Sequence, residues 1–258
     1  MRTPLLLAFL RRAALLATGA LTMLLLTSAC GAPARVFKIA LVAPFEGRSR
    51  QIGYDAFPAV RLAVRDEIAR STDARIAITF IAYNDDADPA RAARVARNIA
   101  LDDDTLIVIG HLALSTTLAA LPVYIDAGLP LIVPHLAPER LPEHALIFRM
   151  APSAARLGDG QDAPAPERWP AAQKALARFT ELSLGPPATA RSVVAYDAAQ
   201  LAIAAIRADI ARNGAPTRAG VAAELRTIRL NGLLGVIQFD ARNIWADAPV
   251  FPRASAGE

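Results

Sequence analysis

Cysteine occurs once in the 258 residues, lysine only at Lys38 and Lys174, histidine three times, and no acidic residue precedes Glu46. A lone cysteine excludes a disulfide scaffold. His111, His135 and His144 stand in separate segments without HxxxH or HExxH spacing, so no metal site is read from them. Aromatic residues make up 6% and the charges are interspersed with no basic stripe, which leaves a nucleic-acid partner without a footprint. The chain has no GxSxG elbow, and Gly158 and Gly160 do not lead a strand into a helix as a phosphate loop does. The acidic groups Asp85, Asp86, Asp88 and Asp102, Asp103, Asp104 lack the spacing and terminal Glu of a calcium loop, and serve as turn and helix-end residues without a metal. The resulting expectation is a protein that is not an enzyme, with no catalytic residue, no cofactor and no metal.

Apolar residues, by contrast, are plentiful, at 54% of the chain, enough to bury one generous domain or two small ones. The net charge of +4 and a pI near 9.7 owe much to the first twelve residues, which hold Arg2, Arg11 and Arg12. An uncharged run, Ala13 to Ala29, follows; it is shorter than the roughly 20 residues of a membrane span and ends in Leu26-Thr27-Ser28-Ala29-Cys30. A basic start, an apolar centre and small residues before a single cysteine describe an export signal over residues 1–29. The ending resembles a bacterial lipobox, which makes Cys30 the expected lipidation site and places the domain outside the cytoplasm on a membrane anchor. The plain alternative is an ordinary signal peptide or uncleaved anchor with a chance cysteine. Loss of the three arginines takes the net charge from +4 to +1, so the basic character belongs largely to the signal.

After a short tether, residues 30–35, short apolar runs alternate with longer amphipathic ones. Strands are expected at Phe37–Pro44, Arg75–Tyr83, Thr105–Gly110, Leu129–Pro134 and Ala145–Met150. Helices are expected at Gly53–Ala69, with Phe57, Val60, Leu62, Val64 and Ile68 at helical spacing, at Ala90–Leu101 behind Pro89, and at Ser115–Ala127 before Gly128. Residues 36–152 thus read as the first part of an α/β lobe: a mostly parallel sheet with helices on both faces. Residues 153–170, rich in Pro, Gly and Asp, read as a linker. Residues 171–245 supply helices at Ala171–Leu184, Ala190–Asn213 and Thr217–Thr227 and a strand at Val236–Asp240, followed by a tail, 246–258.

The segments KIALVAPFEG from Lys38, YNDDADPARAARVARNIA from Tyr83, IVIGHLALSTTLAALPVYIDAGLPLIVP from Ile107 and FRMAPS from Phe148 resemble the first lobe of type 1 periplasmic binding proteins of the Leu/Ile/Val-binding kind. VVAYDAAQLAIAAIRA from Val193, LNGLLGVIQFDA from Leu230 and DAPVF from Asp247 are similar to the family's closing segments. The resemblance implies a solute receptor that hands amino acids to an ABC importer, with a permease as partner. It also implies a gap: the family builds a second lobe where this chain has only residues 153–170, which leaves a single lobe and no hinged clamp.

Family members hold the amino-acid zwitterion with side chains from this lobe. The resemblance places Leu114 where they carry Ser, Ala137 where they carry Thr and Ala154 where they carry an acid, so none of the three contacts is kept. His135 falls at a position where relatives use a backbone carbonyl. The carboxyl ends of the strands remain the natural crevice, and Phe45, Ser115, Thr116, Thr117 and His135 are the ligand candidates there, against the plain reading that Ser115 or Thr116 caps the following helix. Two readings of function follow. One is a lipid-anchored solute-binding component with altered or degenerate capture of a small polar solute such as an amino acid. The other is a non-transporting single-lobe module that binds a protein partner, a two-lobed relative or itself; a reading frame in decay is the residual case.

Overall fold

The computed structural model describes residues 35–71, 75–152, 169–182 and 188–249. The export segment with Cys30, nearly all of the 153–170 linker with Ala154, and residues 250–258 lie outside them. The chain divides into two units, Met1–Arg35 and Val36–Glu258, and all the packing below belongs to the second.

Five strands form the sheet: β1 (Arg35–Ala43), β2 (Ile76–Asn84), β3 (Thr105–Ile109), β4 (Leu131–Val133) and β5 (Ile147–Arg149), in the order β2-β1-β3-β4-β5. The β1–β3, β3–β4 and β4–β5 pairs are parallel. Side chains alternate across it as a pleated sheet requires. Ile39, Leu41, Ile107, Ile109, Ile132 and Phe148 face one apolar cluster, while Ala40, Val42, Val108, Leu131, Val133 and Ile147 face the other. Both faces are therefore covered, and the strands read as unbroken apolar runs.

The first face is covered by α1 (Arg50–Arg70), α4 (Pro170–Leu182), α5 (Ala190–Asn213) and α6 (Arg218–Thr227), with α1 and α5 the main packed pair. The second is covered by α2 (Pro89–Ala100) and α3 (Leu114–Asp126). Local chemistry sets their ends. Asp88 caps α2 by accepting from the Arg91 N–H, with Pro89 in the first turn, and Thr189 and Ser192 close a capping box on α5. Gly53 lets the first turn of α1 lie against the loop leaving β1, where a Cβ would collide with the Pro44 carbonyl and the Phe45 ring.

The expected order of elements is present, with differences at the edges. Helix α1 begins at Arg50, ahead of Gly53, and Ile68 is 61% exposed: it lies off the buried stripe of Ala56, Ala59, Val60, Ala63 and Val64. Strands β4 and β5 are shorter than their apolar runs. The segment after α6 forms a hairpin, β6 (Leu230–Gly232) with β7 (Gly235–Ile237), in place of a lead into a single strand. Beyond it the chain returns to the sheet, with Ile244 bridging Arg149 of β5 in parallel, held by Arg149 N–H to the Asn243 carbonyl and Trp245 N–H to the Arg149 carbonyl, 2.9 Å each. Among the described residues no helix is long and apolar enough to cross a membrane.

Candidate ligand crevice

The carboxyl ends of β1, β3, β4 and β5 open on one edge, and the loops there bear most of the ligand candidates. The loop after β3 is fixed from below. His111, fully buried, bonds through Nδ1 to Asp85 Oδ2 at 2.7 Å and through Nε2 to the Tyr124 hydroxyl at 3.0 Å, tying the loop to the end of β2 and to α3. Asp85 also accepts from the Ala87 N–H, so the first acidic group acts as turn and cap. In the second, Asp102 takes Lys38 at 3.0 Å and the Thr105 hydroxyl.

Helix α3 starts at Leu114, one residue earlier than expected, with Ala113 at the cap and no side-chain cap bond. Ser115 and Thr116 thus lie inside the first turn, where a hydroxyl cannot cap. Thr116 donates back to the Ala113 carbonyl, and Thr117 donates to the carbonyls of Ala113 and His111, both side chains fully buried. Ser115 is exposed. Leu114 packs against the apolar cluster under α3, as does Leu136.

His135 and Phe45 line different cavities. His135, Met150, Pro152, Arg191, Val194 and Trp245 surround one of about 190 Å³, between the ends of β4 and β5 and the first turn of α5. The His135 Nε2 is buried without a hydrogen-bond partner. Burial, and secondarily the Arg191 charge, pushes its pKa down to about 3, so the ring is neutral at ordinary pH. Phe45 instead turns toward α1, its N–H donating to Asn84 Oδ1 at 2.9 Å and its ring 6.1 Å from Phe57 and 6.4 Å from Tyr54. Sequence reasoning missed Arg191 and Trp245, which reach the crevice from 56 and 110 residues beyond His135 with no motif to mark them.

Over 104 residues, 40% of this chain, the sequence is 35% identical to the leucine-specific-binding protein of Salmonella typhimurium. Over that stretch the chain is similar to the Leu/Ile/Val-binding proteins. The Leu/Ile/Val-binding protein of Escherichia coli K12 is 34% identical over 97 residues. The matches span 28% and 26% of those two proteins' lengths, and no family model matches the chain. Among solved structures, the branched-chain amino acid transporter substrate binding protein LivJ from Streptococcus pneumoniae, in complex with isoleucine, gives a TM-score of 0.66 at 14% identity, over 82% of this chain and 94% of that one. The leucine binding protein LivK from Thermotoga maritima gives 0.64 at 16%, over 80% and 92%. A solute binding protein from R. palustris in complex with benzoate gives 0.64 at 12%, over 81% and 90%. These likenesses fix the fold as that of the type 1 periplasmic binding proteins. In this chain both threonine hydroxyls of the β3–α3 turn are spent on carbonyls of their own loop, Ser115 faces solvent, and His135 Nε2 and the Arg191 guanidinium stand without a bonded acceptor or donor among the described residues at the β4–β5 end.

Proposed function

We propose that the chain is an extracytoplasmic, lipid-anchored component resembling the amino-acid receptor of an ABC importer, in which capture of the amino-acid zwitterion has been lost or altered. The observation that carries this reading is the β3–α3 loop: Leu114 stands packed in apolar surroundings where relatives present a serine, and both neighbouring threonine hydroxyls are spent on carbonyls of their own loop. A zwitterion in that crevice would forgo charge-assisted hydrogen bonds worth roughly 1.5–3 kcal/mol each. Residues 153–170 stand in place of the second lobe in this reading. It is supported by the packing of α4 and α5, which follow that segment, onto α1, which precedes it. Fold alone does not choose the solute, since relatives of this architecture include one in complex with isoleucine and one in complex with benzoate.

Calorimetry of the mature protein against leucine, isoleucine and valine is expected to give no saturable heat in the micromolar range; a micromolar Kd for any of them would overturn the loss of zwitterion capture. Silence together with a co-purifying two-lobed relative or self-association favours the second reading, a non-transporting interaction module. Cys30→Ser is expected to move the protein from the membrane to the soluble fraction, and unchanged membrane retention would remove the lipid anchor from the proposal.

A further inference from the structure

Helix α1 has two working faces. Ala56, Ala59, Val60, Ala63 and Val64 are buried in the core cluster. Tyr54, Phe57, Pro58 and Arg61, spaced i, i+3, i+4 and i+7, form a second stripe that lies beside β2. With Phe45 from the end of β1, Ala82 of β2 and Leu182 from the end of α4, this stripe lines a cavity of about 260 Å³, separate from the one that holds His135.

The walls are set before any ligand arrives. Phe57 is fixed from behind by Phe80, ring to ring at 5.4 Å in an edge contact, and from the side by Phe45 at 6.1 Å, also edge-on. Tyr54, 42% exposed, forms the open side. Arg61 is the only charged group among the described lining residues. Three other cations of this layer are occupied: Arg178 bonds to Asp66 at 2.8 Å, Arg207 to Glu67 at 2.6 Å, and Arg70 to the Asp66 carbonyl and Gln200. Arg61 is exposed and has no acceptor among the described residues.

We propose that this cavity is a second binding site, distinct from the crevice, for a small carboxylate with an aromatic or similarly sized apolar body. The rings and Pro58 take the apolar body, and the Arg61 guanidinium takes the carboxylate at the rim. An α-ammonium would find no carboxylate partner among the described lining residues, so a free amino acid is disfavoured relative to the acid of the same skeleton. The site stands on its own lining and is independent of what the crevice binds.

Phenylacetate, L-phenylglycine and 2-phenylethanol share one phenyl ring on a two-carbon side chain and present a carboxylate, a zwitterion and a neutral hydroxyl, and titrating each into the mature protein by calorimetry and amide chemical shifts tests the site. Saturable binding of phenylacetate is expected, with shifts at Tyr54, Phe57 and Leu182, and with affinity about tenfold above the other two compounds. Arg61→Glu, an exposed change that leaves the melting temperature near its original value, should weaken phenylacetate by about tenfold or more. Absence of saturable binding, equal affinity for phenylethanol, undiminished affinity in Arg61→Glu, or shifts centred on Arg191 and Trp245 would each overturn the proposal.

Discussion

Asp197→Ala will destabilise the fold by about 3 kcal/mol and open the β6–β7 hairpin, because it removes the side-chain acceptor of two turn amides, one half-buried and one buried. Asp197 lies on α5 and is 1% exposed; its carboxylate takes the Leu233 N–H at 2.9 and 3.0 Å and the Leu234 N–H at 3.4 Å. Leu233 and Leu234 form the two-residue turn between β6 and β7, and neither has the conformational freedom that Gly or Asn gives a tight hairpin. The helix therefore supplies from outside the hydrogen bonding that turn residues normally supply from within. Gly232 completes the arrangement, since a Cβ there would stand 2.7 Å from the carboxylate.

Burial pushes the Asp197 carboxyl up to about 7 from an ordinary 3.8, against the opposing pull of the two amides. The folded chain thus holds this proton more tightly than the unfolded one. Its contribution to stability is complete below the unfolded value near 3.8 and is lost as the pH rises through about 7. Asp197→Asn keeps one oxygen for the amides and cannot titrate, so its stability relative to the parent should improve between about pH 4 and about pH 7 in denaturant melts. A parent-minus-Asn difference that is flat across that range, or that moves the other way, would show that the carboxyl is ionised in the fold throughout.

Much of the α/β layout is legible in the chain because buried parallel strands must be apolar throughout while their covering helices alternate. That contrast is written into Lys38–Pro44, Thr105–Gly110 and the helices between them. Most of what escaped depends on partners distant in sequence. The hairpin turn is closed by Asp197, 36 residues upstream. The start of α3 at Leu114 rests on a loop anchored by His111 to Asp85 and Tyr124, so no local capping residue is needed and Ser115 was misread as one. Phe45 and His135 both follow strands, yet the aromatic stripe of α1 draws Phe45 into a separate cavity beside that helix. That stripe was itself visible as Tyr54, Phe57, Pro58 and Arg61, had helical spacing been read for a second face as well as for the core.

Arg218 binds the two halves of the chain together, and Arg218→Ala should cost about 3–4 kcal/mol, among the largest effects of any half-buried side chain here. From the first turn of α6 its guanidinium donates to four carbonyls: Thr105 at 3.0 Å, Ala127 at 3.2 Å, Ala100 at 3.1 Å and Asp102 at 2.8 Å. Ala100 ends α2 and Ala127 caps α3, so a single cation meets the negative ends of both helices on the far layer and the start of the strand between them. Every acceptor precedes the Pro-rich stretch and the donor follows it, so the contact holds the returning segment to the part of the lobe that came first. Arg218→Lys should recover less than half of the loss, because one ammonium on a flexible stem cannot reach four carbonyls that a planar fork spans. Denaturant unfolding of the two variants measures this directly. Equal stability of Lys and Arg at this position would mean that charge alone, and not the fan of hydrogen bonds, holds α6 to the strand ends.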